Sequence, residues 1–247
     1  MRIAFGVEYD GTHYSGFQRL PHALSIQQKL EEALSKIANH PVQLVCAGRT
    51  DAGVHAVEQV IHADISSVRA DNAWTFGVNQ YLPPDIRILW AKKVEDDFHA
   101  RFSARARRYH YHILNRPMGS ALLRNRVLHH PYPLNEHDMH QAAQSLIGEH
   151  DFTSFRAAGC QAKHAIREIF SIRVERTDEN LLIDIHANAF LHHMVRNIVG
   201  SLLLVGDGRK PLNFIEEVLH KKDRTLAGPT APAHGLYFYQ VTYHTPL

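Results

Sequence analysis

The chain has 247 residues, of which 45% are hydrophobic and 21% charged, and its 27 Lys+Arg against 25 Asp+Glu leave a formal charge of +2. That balance excludes a disordered or fibrous chain, and the length allows one large domain or two of roughly 100–150 residues, each with its own core. Two cysteines, Cys46 and Cys160, are too few for a disulfide scaffold or a CxxC zinc module. No apolar stretch approaches the roughly 20 residues of a membrane span. The opening MRIAFGVEYD runs straight into an alternating pattern without a charged leader or cleavage site, so a cytoplasmic protein with no membrane partner is expected.

In chain order, Ile3, Phe5, Val7 and Tyr9 alternate with Arg2, Ala4, Gly6 and Glu8, which predicts a strand ending at the turn Asp10-Gly11. Ser25, with Gln28 three residues on, reads as a capping box. The helix it opens carries Ile26, Leu30, Ala33, Leu34 and Ile37 on one face and closes at Asn39 and Pro41. Two short β-rich runs, 42–46 and 59–65, follow, joined by the glycine-bracketed segment from Gly48 to Gly53. A strand over 108–114 is expected to put Tyr109, Tyr111 and Ile113 on one face and Arg108, His110 and His112 on the other. Asn135, with Asp138 three residues on, caps a helix bearing Met139, Ala142, Ala143 and Leu146 that stops at Gly148. Runs 169–174 and 181–185 form a hairpin, 189–205 reads as an apolar helix, a short helix starts near Pro211, and 236–243 is a closing strand.

Both halves therefore read as α+β units, each a mainly antiparallel sheet with helices on one face. The boundary falls near residue 105, giving halves 1–105 and 106–247, and two such sheets side by side would leave a cleft between them where sites often lie.

Three segments carry chemistry. In Ala47-Gly-Arg-Thr-Asp-Ala-Gly-Val-His-Ala56, the glycines bracket a polar turn that can hold the Asp51 carboxylate as nucleophile or general base, with Arg49 two residues away on the same face. The alternative is an Asx-turn carboxylate capping backbone N–H groups beside an incidental arginine. Arg101, Arg105, Arg107 and Arg108 fall within eight positions and lead into Tyr109, a pairing of phosphate forks with a stacking aromatic that suits single-stranded or flipped-base recognition. The alternative is a solvated basic strand over a core tyrosine. Arg196 lies within an apolar run and needs a carboxylate, for which Asp51 is one candidate; otherwise its stem reaches solvent. The twenty histidines fit metal binding poorly: His129-His130 and His192-His193 are adjacent, so on a regular strand or helix neither pair can face one ion, and HExxH is absent. No metal is expected, and most histidines are read as surface or RNA-facing groups.

YDGTHYSGFQ, GRTDAGVHA, FHARFSARARRYHYHILN, FLHHMVRNIVGSLLLVG and AGPTAPAHGLYFYQVTY, spread in order from residue 9 to residue 243, resemble the tRNA pseudouridine synthase A family. The resemblance implies the pseudouridine synthase fold, with its active-site cleft between the two halves. It implies isomerisation of uridine at positions 38, 39 and 40 of the tRNA anticodon stem-loop, with no cofactor and no metal. Asp51 is then the catalytic nucleophile, Arg196 pairs with it, and Arg49 helps accommodate a flipped nucleotide. Tyr109 stacks on the target base, and Arg101, Arg105, Arg107, Arg108 and His55 lie on the substrate side. A homodimer whose cleft spans both subunits is implied as well. Leu20-Pro-His departs from the family where a second glutamine is expected, and His110 stands where arginine is common, so a phosphate contact strengthening towards pH 6 is expected there. Two rivals remain: a catalytically silent RNA-binding protein of the same fold, and a carboxylate-dependent hydrolase, for which no second acid stands out beside Asp51.

Overall fold

The computed structural model describes residues 1–245 and 247. β1 (Arg2–Tyr9) is the central strand of the first unit, and Ile3 to Val7 are buried without a break, so both faces of the strand are covered. The small residues in its alternation make room for a neighbour. A Cβ on Gly6 would lie 2.1 Å from the Trp90 ring nitrogen, so the indole crosses the strand at that point. α1 (Ile26–Ala38) starts at Ser25, whose Oγ accepts the Gln28 N–H at 3.3 Å. Only this half of the capping box forms, because the Gln28 side chain donates to Glu32 instead. Asn39 adopts φ 58°, the left-handed stop that the sequence pattern predicts.

β2 (Leu44–Cys46) and β3 (His55–Asp64) follow, then the single-turn helix α2 (Phe76–Asn79) and β4 (Ile86–Val94). β3 and β4 flank β1, both antiparallel to it, with Phe5 opposite Ile61 on one side and Ala91 on the other. β2 adds to the far edge of β3. β3 begins four residues before the run read from sequence, so His55 belongs to the strand rather than to the preceding loop.

The second unit starts within β5 (Ala104–Asn115), which is longer than the predicted strand. β6 (Leu128–His130) pairs parallel with its C-terminal end. α3 (Glu136–Ala143), capped by Asn135, leads into β7 (Gly148–Asp151). β8 (Ile166–Thr177) and β9 (Asn180–Ala187) form the expected hairpin, turning through Asp178 at φ 53°. The strand order is β5-β9-β8-β7, antiparallel throughout. α4 (Met194–Gly206) and α5 (Phe214–Lys221) complete the unit, with α3 packed against β8 and α4. The helix read over 189–205 starts only at Met194: His193 takes φ 60°, and residues 188–193 are irregular, with a turn at His192-His193. His192 and His193 therefore stand outside the helix.

β10 (Leu236–Tyr243) closes the chain and runs parallel to β3, with Tyr237 opposite His55 and Phe238 opposite Ala56. By internal packing the units are Met1–Arg105 with Tyr237–Leu247, and Ala106–Leu236. The last eleven residues thus group with the first unit and not with the C-terminal half expected from sequence, because the β10–β3 pairing is a tertiary contact without a local signature. Among the described residues, no helix is long and apolar enough to cross a membrane.

Candidate active site

The segment 47–55 is a short polar turn pinned to the rest of the first unit at Ala47, Gly48, Thr50, Gly53 and His55. Ala47 N–H donates to the Val60 carbonyl at 2.8 Å. Gly48 is clamped on both sides by one amide: its N–H donates to Gln59 Oε1 (3.3 Å), and Gln59 Nε2 donates to its carbonyl (2.6 Å). The Thr50 hydroxyl meets the Tyr9 hydroxyl at 2.8 Å, and the Thr50 carbonyl accepts the Phe17 N–H at 3.0 Å. Val54 N–H closes the turn on the Asp51 carbonyl at 3.2 Å. Two glycines permit the close approach. A Cβ on Gly16, at φ 98°, would fall 2.8 Å from the Thr50 carbonyl oxygen, and one on Gly11 would fall 2.0 Å from that of Val54. Asp51 sits half-buried at the tip and Arg49 is exposed beside it. A carboxylate on a turn held this tightly has a defined direction, which a nucleophile or general base needs.

His55 lies just beyond, only 2% exposed. Its Nδ1 is 3.0 Å from the Gly11 N–H and 3.1 Å from Asp10 Oδ1, and its ring stacks on Tyr237 at 4.7 Å. These contacts tie β1, β3 and β10 together under the turn. They make His55 a support of the loop, with little surface to offer a substrate.

The basic residues divide by their engagements. Arg101 and Arg105 are exposed, and Arg101 lies over the Phe102 ring at 5.7 Å. Arg107 donates to the Asn188 carbonyl at 3.0 Å. Arg108 forms a two-pronged pair with the buried carboxylate of Asp184, directly across from His110 on β9, with Nε to Oδ1 at 2.7 Å and Nη2 to Oδ2 at 2.5 Å. Burial pushes the Asp184 carboxyl up, but the hydrogen bonds and charges of Arg108 and His110 outweigh it and hold it well below the usual carboxylate range. His110 Nε2 stands 3.5 Å from Asp184, with its side chain 12% exposed. The phosphate contact expected at His110 would compete with this carboxylate. Tyr109 is buried and packs edge-on against Phe190 at 4.9 Å, on the strand face it shares with Tyr111 and Ile113.

Arg196 occupies the first turn of α4, where its Nε donates to the Ala231 carbonyl (2.7 Å) and its own carbonyl accepts the Ala231 N–H (3.0 Å). The strap 227–232, from the motif AGPTAP, is thereby laid along α4. A Cβ on Gly200 would fall 1.7 Å from the Pro229 carbonyl oxygen, Gly228 N–H donates to Ser201 Oγ, and Arg224 bridges Asn197 and Thr230.

A family model described as tRNA pseudouridine synthase matches residues 6–103 and 142–244, a span that includes the Asp51 turn, α4 and the strap. The chain belongs to the tRNA pseudouridine synthase family. It is 55% identical over 243 residues to a protein of Histophilus somni (strain 2336), covering 98% of this chain and 90% of that one. It is 56% identical over 247 residues to one of Aeromonas hydrophila, covering 100% and 92%. Both relatives bear the name tRNA pseudouridine synthase A.

Family membership leaves the histidines to be explained by the structure alone. The reading of most of them as surface groups does not hold for His55 or for His62, which is 4% exposed, accepts the Ala100 N–H at 3.1 Å and packs edge-on against His99. His99 in turn accepts the N–H groups of Arg101 and Phe102 and stacks on the Phe102 ring. The rings of His192 and His193 lie 4.0 Å apart. The objection to adjacent histidines sharing a ligand assumed a regular helix and does not apply to this turn. Tyr9, Thr50 and Gln59 have no role in the sequence reading; Tyr9 opens the motif YDGTHYSGFQ and Thr50 lies within GRTDAGVHA, whereas Gln59 falls outside every motif.

Proposed function

We propose that the protein isomerises uridine to pseudouridine in the anticodon stem-loop of tRNA, at positions 38 to 40, with Asp51 as the nucleophile. The observation that carries this reading is the half-buried Asp51 carboxylate on a turn pinned at Gly48, Thr50 and Gly53, inside the stretch that the family model matches. The bond between ribose C1′ and uracil N1 breaks, the retained base rotates, and C1′ joins C5. Every atom of the substrate stays in the product, so the reaction draws on no oxidant or reductant.

The remaining residues take the roles that the resemblance assigns. Tyr109 stacks on the target base, worth about 1–3 kcal/mol towards the few kcal/mol of unstacking. Arg196 orients the nucleophile, and Arg49 accommodates the displaced nucleotide. Among the basic residues, exposure favours Arg101 and Arg105 for phosphate contact, since Arg108 is engaged by Asp184 and Arg107 by a backbone carbonyl. The working form is a cytoplasmic homodimer, for which light scattering at micromolar concentration is the direct check; a stable monomer there would sink it.

The test uses an unmodified tRNA transcript incubated with the wild-type protein and with Asp51→Ala, and pseudouridine mapped by an adduct that stops primer extension. Stops just 3′ of the anticodon with the wild type and none with the variant are expected. Release of free uracil would favour a hydrolase. Tight binding by both proteins without stops would favour the silent RNA-binding reading.

A further inference from the structure

The role given to Asp51 leaves unexplained three polar side chains buried directly beneath it. Tyr9 is 2% exposed, Thr50 7% and Gln59 0%. They form a hydrogen-bonded support for the turn: Tyr9 Oη to Thr50 Oγ1 at 2.8 Å, and the Gln59 amide to both backbone groups of Gly48. Buried polar groups are costly unless bonded, and a phenylalanine at position 9 would fill the same space without a hydroxyl to satisfy. Burial pushes the Tyr9 hydroxyl well above its ordinary value, with hydrogen bonds to Thr50 and Gln59 pulling the other way, so it keeps its proton. The bond it makes lands on the residue immediately before Asp51. The Thr50 carbonyl also accepts the Phe17 N–H, so that Thr50 is fixed by both side chain and backbone.

We propose that Tyr9 is a positioning residue for Asp51, acting through the Thr50 hydroxyl, while Gln59 fixes the entry of the same turn at Gly48. Neither touches the substrate, since both side chains are buried within the first unit. What they set is the direction in which the backbone presents the Asp51 carboxylate. A nucleophile displaced by about 1 Å loses about 100-fold in rate with no contact to the substrate removed. This inference rests on the assignment of Asp51 as nucleophile.

The experiment compares the wild type, Tyr9→Phe, Thr50→Val, Thr50→Ser and the Tyr9→Phe/Thr50→Val double variant. Three quantities are read: the single-turnover rate of pseudouridine formation in tRNA, the dissociation constant for tRNA, and the urea midpoint. Tyr9→Phe and Thr50→Val should each slow the chemical step by about 10- to 100-fold, with tRNA affinity held within a few-fold and the proteins folded at assay temperature. Thr50→Ser keeps the hydroxyl and should recover most of the rate. The double variant should be no slower than the slower single one, because both remove the same bond.

Unchanged rates, a rate loss matched by lost tRNA binding, or multiplicative losses in the double variant would overturn the proposal. If Thr50→Val does not fold, Tyr9→Phe and Thr50→Ser decide it, the first expected slow and the second near wild type. A failure of the underlying assignment reads differently: Asp51→Ala would then retain the wild-type rate.

Discussion

Arginines three positions apart in the chain have different work. Arg105 is exposed, whereas Arg108 is locked onto Asp184 across the β5–β9 pairing. Replacing Arg105 with alanine should weaken tRNA binding about equally for all tRNAs and lower the slope of log affinity against log salt by about 1 unit, measured by filter binding over a salt series. Replacing Arg108 with alanine should act on stability instead. It strands a buried carboxylate and should cost about 2–3 kcal/mol in urea unfolding, and Arg108→Ala/Asp184→Asn should recover part of it. The basic cluster was legible in the sequence as a run of charge. Which arginine faces outward was not, because the partner of Arg108 lies 76 residues away.

Elements here are shaped as much by where backbones touch as by helical or strand periodicity. α4 is apolar nearly all round, and its Gly200 lies under the strap 227–232. In a free helix Gly→Ala stabilises by about 1 kcal/mol. At Gly200 the added methyl would meet the Pro229 carbonyl, a backbone group that cannot step aside. Gly200→Ala should therefore destabilise the protein by about 2–3 kcal/mol in urea unfolding. It should also slow pseudouridine formation, because the same strap holds Arg196 through Ala231. The sequence showed α4 as an apolar helix and AGPTAP as a motif; that the second clasps the first is a matter of long-range packing. The premature helix start at residue 189 has a similar origin, since an apolar run cannot reveal that His193 turns left-handed.

At the scale of the whole molecule, stability should depend on pH through the buried His62. Burial, with the charges of Arg2 and His99, lowers His62 to about 4 from 6.5, and Asp64 opposes this only weakly. The unfolded chain therefore binds a proton at this residue near pH 6.5, while the folded one resists it until about pH 4. The contribution of His62 is complete above about pH 6.5 and lost as pH falls towards 4, by at most about 3 kcal/mol. Urea midpoints taken from pH 7 to pH 4 should fall through this window. His62→Asn, which keeps an acceptor for the Ala100 N–H, should flatten the profile. A profile as steep in the variant as in the wild type would assign the loss to other groups.

Local patterning determined much of this protein by itself. Period-2 and period-3.6 alternation marks most strands and helices of an α+β chain, and the glycine-bracketed turn around Asp51 announces a held carboxylate, because backbone geometry at such positions depends on neighbours in the chain. Tertiary structure alone decided that β10 joins β3 in the first unit, that Asp184 takes up Arg108, that His55 and His62 are supports rather than surface groups, and that Tyr9 and Gln59 reach the turn from β1 and β3. Each of these is a pairing across 11 residues or more, where the identity of one side chain carries no mark of the other until the chain folds.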